Sequence, residues 1–154
     1  MIELVVVLAL VGILSFVALS RMTSTDVFAH RSAADALAGA MRYAQKRAIA
    51  GRTEIWVRID TAAGTVRFCR DAAPVCAQPL NEPGAQSVLA FQAPSGITMT
   101  VSPLASTAFS FDGLGRALGP AAASADVVLD SPAATAVVRT WTETGLTETV
   151  WTPK

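Results

Sequence analysis

The sequence predicts an α+β protein, one long N-terminal helix followed by a head of antiparallel β-strands. Three observations carry this. Residues 1–52 hold no proline, and apolar residues recur along the second half of that stretch every three or four positions. Beyond Gly51 the apolar period falls to two. Short Gly- and Pro-containing runs then punctuate the chain up to its end.

The 154 residues are one domain's worth of material with an appendage. Apolar residues make up 52% and charged residues 16% of the chain, and the mean hydropathy is +0.45. Soluble domains carry about 45–50% apolar and about 25% charged residues. The excess is local, because residues 1–20 contain a single charge, Glu3. This composition excludes intrinsic disorder and collagen-like or disulfide-scaffold chains. The net charge of +0 argues against a strongly basic nucleic-acid binder. That zero divides into −1 over residues 1–20, +4 over 21–52 and −3 over 53–154. Such a division suits ordinary solvated faces, or charge complementarity between neighbouring copies in an assembly.

Leu4 to Leu19 form 16 residues without a charge. A spanning helix needs about 20 apolar residues, with a range of roughly 17–25, so residues 1–20 read as a short transmembrane or filament-core helix. A secretory signal would begin with Lys or Arg, and here an acid sits at position 3. A buried core helix fits poorly, because Val5 to Leu14 is apolar on all sides. Glu3 is the informative residue. A carboxylate costs about 2.5–3.5 kcal/mol at a bilayer centre and less near the interface. Either Glu3 lies among headgroups and complements the helix dipole, or it pairs with a cation of a neighbouring subunit.

Residues 21–52 continue as an amphipathic helix. Val27, Ala34, Leu37, Met41, Ala44 and Ala48 share one face, and His30 falls on the same stripe. Leu37, Met41, Ala44 and Ala48 are expected to pack the helix against the head. Gly51 reads as a C-cap, and Ser24 or Thr25 offers an alternative break and fresh N-cap. Unbroken, the helix from 2 to 50 is about 70 Å long.

Residues 53–154 form the β head. Thr53–Asp60 alternates, Ala62-Ala63-Gly64 turns, and Thr65–Arg70 returns. Residues 71–86 hold Pro74, Pro79, Pro83 and Gly84 and read as a loop. Further strands are predicted at Ser87–Gln92, Ile97–Ser102, Ala108–Phe111, Asp126–Leu129, Ala136–Thr142 and Thr147–Trp151, with turns at 112–115 and at Thr144-Gly145. The expectation is seven or eight antiparallel strands with the helix packed on their sheet.

Cys69 and Cys76 flank a proline-containing loop. A disulfide there would add about 2–3 kcal/mol by the loop-entropy estimate and place the head in an oxidising compartment. Two unrelated free thiols are the alternative. Metal sites generally take four ligands, and the single histidine, His30, lies far away on the helix. His30 is also all that a Ser-His-Asp or Cys-His site could recruit. Gly113-Leu114-Gly115 lacks the third glycine and the strand–loop–helix setting of a dinucleotide loop. Nothing in the sequence asks for a cofactor or a metal, or for enzymatic activity.

An apolar N-terminal helix with an early glutamate, an amphipathic extension and a β-rich head resembles type IV pilins and type II secretion pseudopilins. Ile2-Glu3-Leu4-Val5-Val6-Val7 and the run to Leu14 resemble the second half of the prepilin signature. Met41-Arg42-Tyr43-Ala44-Gln45-Lys46-Arg47-Ala48-Ile49 resembles the end of the long helix in the GspH/FimT group. Phe109 to Arg116 resembles that group's strand–turn segment, and Thr144-Gly145 sits where the group has a terminal Gly-Arg turn.

The resemblance implies a pilin-like fold and a structural subunit of a type II secretion pseudopilus or a type IV pilus. Its partners would be other pilins or pseudopilins, through N-terminal helix packing. It would sit in the inner membrane with a single pass and a periplasmic head. Glu3 would neutralise the N-terminal amine of a neighbour. Prepilin peptidase would be a partner where a full leader precedes residue 1. The family's basic leader and mature phenylalanine would stand before Met1, and that leader would reverse the orientation that the C-terminal cations alone would give. DNA-binding members carry arginines in the Gly-Arg turn, but Leu146-Thr147-Glu148 supplies no cation. Nucleic acid is therefore not an expected partner. DNA uptake, or tethered binding of an exported protein, are the alternative functions.

Overall fold

The structure is a computed structural model that describes residues 2–103, 107–119 and 122–154; the side chains at positions 2, 8, 9, 12 and 14–26 also lie outside the described residues. One helix, α1, runs unbroken from Ile2 to Gly51, so no fresh N-cap forms at Ser24 or Thr25. At 1.5 Å per residue its 50 residues span about 75 Å. The helix ends in a Schellman motif. The Thr53 N–H reaches the Ala48 carbonyl at 3.1 Å and the Arg52 N–H reaches the Ile49 carbonyl at 3.2 Å. The left-handed residue of that motif is Arg52, with φ of 47°. Gly51 is the last helical residue, one position short of where a glycine is most useful.

The head contains nine strands among the described residues: β1 (Ile55–Asp60), β2 (Thr65–Cys69), β3 (Ala90–Gln92), β4 (Thr98–Ser102), β5 (Ala108–Phe111), β6 (Ala117–Leu118), β7 (Ser124–Asp130), β8 (Ala134–Trp141) and β9 (Thr147–Pro153). The strand the sequence does not announce is β6, whose two residues are too short to show a period. The single sheet expected from sequence is two sheets. One has the order β3-β2-β1-β5-β6 and the other β4-β7-β8-β9, with every registered pairing antiparallel.

The alternation places Val57, Ile59, Val66 and Phe68 inward from the first sheet, and Val127, Leu129, Ala136 and Val138 inward from the second, all in one core. The C-terminal half of α1 closes that core, touching β8 and β9 of one sheet and β1, β3 and β5 of the other. Each fully buried Leu, Met or Phe on such a seam contributes about 1.5–3 kcal/mol relative to exposure. The long loop after β2 is not wholly peripheral, because its Leu80 is buried in the same core.

Candidate functional site

The helix changes character along its length. In its first turns the described apolar side chains Leu4, Val5, Val6, Val7, Leu10 and Ile13 are all more than half exposed. At 100° per residue these positions point to every side of the helix. Glu3 is exposed beside them and is the acidic residue of the first turn. Among the described residues no helix is long and apolar enough to cross a membrane. Most of the stretch read as a span, positions 14–20 included, lies outside the described side chains.

From His30 onward one face is sealed. Ala34, Leu37, Met41, Ala44 and Ala48 have no exposed surface. His30 is buried too, and its Nε2 lies 3.2 Å from the Leu129 carbonyl oxygen. Its ring meets Trp151 edge-on at 5.1 Å. Two polar side chains then stitch the helix to a strand of the second sheet and to one turn of each sheet. Arg42 Nε donates to the Thr147 carbonyl at 3.1 Å. Gln45 Nε2 donates to the Gly115 carbonyl at 2.9 Å and to the Thr144 carbonyl at 3.0 Å.

Gln45 thus gathers three segments distant in sequence: the end of α1, the β5–β6 turn and the β8–β9 turn. The approach is close enough to demand glycine. A Cβ on Gly145, whose φ is 62°, would overlap the Gly115 carbonyl oxygen. A Cβ on Gly113 would stand 3.1 Å from the Arg52 backbone. Asp112 organises the β5–β6 turn by accepting from the Leu114 N–H at 2.9 Å, the Arg116 N–H at 2.8 Å and Arg116 Nε at 2.9 Å. Burial acts to raise the Asp112 carboxyl pKa, but these donors and the Arg116 charge together hold it below its ordinary value.

Cys69 and Cys76 are disulfide-bonded, with Cα atoms 5.5 Å apart. The structure therefore does not bring the sequence-derived residues into one site. Glu3 stands at the free end of the helix, the Leu37–Ala48 stripe lies inside the head, and the disulfide pins a loop over the outer face of the first sheet. Sequence reasoning left Gln45 and Arg42 without a role. Both lie in the Met41–Ile49 stretch, which meets two other stretches of the resemblance, Phe109–Arg116 and Thr144-Gly145, through Gln45.

A family model described as "Type II transport protein GspH" matches residues 33–145, well over half of the chain. The chain belongs to the GspH family. Its match begins where the helix enters the head and ends on Gly145 of the three-way junction. Among solved structures the head is similar to the minor pseudopilin EpsH from the type 2 secretion system of Vibrio cholerae. The identity is 13% and the TM-score 0.59, covering 78% of this chain and 94% of that one. It is also similar to the type IV minor pilin FimU of Pseudomonas aeruginosa, with 17% identity and a TM-score of 0.63, covering 80% and 90%. Among curated proteins none matches by sequence. The pilin-like fold is thereby shown, and the GspH family is a structural family of minor pseudopilins and pilins rather than an enzymatic one.

Proposed function

We propose that this GspH-family chain is an inner-membrane subunit with a single pass and a periplasmic head, which enters a pseudopilus or pilus by packing its N-terminal helix against those of other pilin-like subunits. The observation that carries this is the helix's split character. Its second half is sealed into the head, while its first turns present apolar side chains on all sides with nothing of the head against them. Exposed apolar surface of that extent marks a lipid or protein contact. A bilayer before assembly and neighbouring helices after it both meet that need.

Glu3 fits the same scheme. Placed at the start of an apolar helix, it is costly in hydrocarbon unless a cation meets it. The N-terminal amine of an adjacent subunit is such a cation. Replacing Glu3 by Ala or Leu is expected to leave the head folded and to abolish incorporation into filaments, read by recovery of the subunit in sheared filaments. Wild-type incorporation of either variant would overturn the assignment.

A further inference from the structure

The two sheets carry the same surface device in two different states. On the second sheet Arg139 lies against Trp141, with the guanidinium carbon 5.7 Å from the ring centroid. Directly opposite it in the β7–β8 register is Asp126, which takes Arg139 in a forked pair at 3.0 and 2.7 Å. On the first sheet Arg58 lies against Trp56 at 5.9 Å. The residue directly opposite Arg58 in the β1–β2 register is another arginine, Arg67. Opposed residues in an antiparallel pair have Cα atoms about 4.5–5.5 Å apart, and like charges there are destabilising.

Among the described residues no ion pair joins Arg58 or Arg67 to an acid. The ion pairs among the described residues are Arg116–Asp112, Arg139–Asp126 and Lys154–Asp130. Asp71, on the neighbouring loop, spends its two oxygens on the Ala73 and Gln78 N–H groups at 3.1 and 2.6 Å. Asp60 accepts the Ala63 N–H at 2.9 Å to shape the hairpin turn. Arg58 is nevertheless held in place, because its Nη2 donates to the Ala72 carbonyl at 2.6 Å. Ala72 sits in the loop closed by the Cys69–Cys76 disulfide. The Arg58 Nε is buried with no partner among the described residues.

A cavity of about 330 Å³ opens here, with Arg58 and Arg67, Asp60, and the Thr61, Thr65 and Thr107 side chains around it, and Pro74 and Cys76 as one wall. Two guanidiniums and one carboxylate leave a local charge of about +1, which one monoanion neutralises. A guanidinium takes a carboxylate in a planar fork, as Asp126 shows on the other sheet.

We propose that this disulfide-walled pocket on the first sheet binds a carboxylate group, of the kind an Asp or Glu side chain carries, between Arg58 and Arg67. The bound carboxylate completes on the first sheet the cross-strand pairing that Asp126 supplies on the second. The local charge selects a carboxylate over a phosphate dianion, which would leave the pocket with a net negative charge.

The test is NMR on the full-length chain in detergent micelles, following the arginine Nε–H resonances. Sodium acetate and the side-chain carboxylate of N-acetylglutamate amide are the probes, and inorganic phosphate is the comparison. Both carboxylates are expected to shift Arg58 and Arg67 saturably. Arg67→Ala, on an exposed side chain, should weaken that binding at least about tenfold, while Arg70→Ala should leave it unchanged. Arg67→Glu, which places a carboxylate beside Arg58 within the chain, should abolish it. Absence of a saturable shift, an unchanged affinity in Arg67→Ala, or tighter binding of phosphate than of either carboxylate would each overturn the proposal.

Discussion

Gln45 Nε2 and the Gly115 carbonyl oxygen lie 2.9 Å apart, with the same amide nitrogen also reaching Thr144. One side chain thereby fixes the end of the helix to two turns that are 70 and 99 residues away along the chain. Replacing Gln45 by Ala removes both bonds and is expected to cost about 1–2 kcal/mol. Gly145→Ala should cost more, at least about 2 kcal/mol, because it adds a positive-φ penalty to an overlap with the Gly115 backbone. Thermal unfolding of the full-length chain in detergent checks both. A Gly145→Ala variant as stable as the parent would mean that the turns do not meet as described.

The helix-to-head seam makes a second, sharper demand. Leu37 and Met41 have no exposed surface and lie on successive turns of one face. Truncating either to Ala is expected to cost about 2–5 kcal/mol through lost burial and the cavity left behind. Ala40, one position away from Met41, is only partly buried. Urea titration reads these losses, and Ala40→Ser should stay within about 0.5 kcal/mol of the parent in it.

How much of this was legible in the sequence depends on the range of the interactions involved. The helix stripe was legible because spacing of three to four encodes one face, and His30 through Ala48 lie where that spacing puts them. The strands of β1 and β2 were legible because Ile55, Val57 and Ile59 alternate with polar neighbours. The division into two sheets was not, because alternation marks which face of a strand is buried and says nothing of which strand lies beside it. The partition depends on β5 pairing with β1 across the intervening β2–β4 segment, a contact that closes about fifty residues of chain. The Arg52 cap was hidden by its neighbour, since Gly51 supplied the expected signal one position early. The role of Gln45 was hidden because a polar residue on a helix near its end looks like any solvated one.

The disulfide supports a third prediction. It closes a short loop whose Ala72 carbonyl holds Arg58. Reduction, or replacing both cysteines by Ser, is expected to lower stability by about 2–3 kcal/mol on the loop-entropy estimate. The Arg58 Nε–H resonance should broaden or shift at the same time, since the loop is its docking point. Equal unfolding midpoints with and without reductant would show that the bond constrains nothing.

The β8–β9 turn predicts a negative result with a physical cause. Its Thr144-Gly145-Leu146 sequence exposes Leu146 at 56% and offers no cation. Binding to DNA rests on Lys and Arg contacts to phosphate and weakens steeply with salt. The full-length chain in detergent is therefore expected to give no salt-sensitive retardation of duplex DNA at low ionic strength. Retardation that fades as salt is added would place a phosphate-binding surface elsewhere on the head.

Acid should loosen the β5–β6 turn. Asp112 has a carboxyl pKa below its ordinary 3.8 in the folded chain, despite the burial that acts to raise it, because Arg116 and two backbone N–H groups favour the charged form. The unfolded chain releases those donors, and its carboxyl returns to the ordinary value. A carboxyl with a depressed folded pKa stabilises fully above its unfolded value, and that stabilisation is lost as pH falls through the folded one. The stability advantage of the parent over Asp112→Asn should thus be constant above about pH 5, and should shrink as pH drops below the ordinary carboxylate value. Asp130 has the same direction of shift, caused first by Lys154 and then by Thr135, and adds to the same acid limb. Unfolding midpoints of the parent, Asp112→Asn and Asp130→Asn at pH values from about 2 to about 7 read this directly. A parent-to-variant gap that widens toward acid would reverse the sign and remove Asp112 as the organiser of its turn.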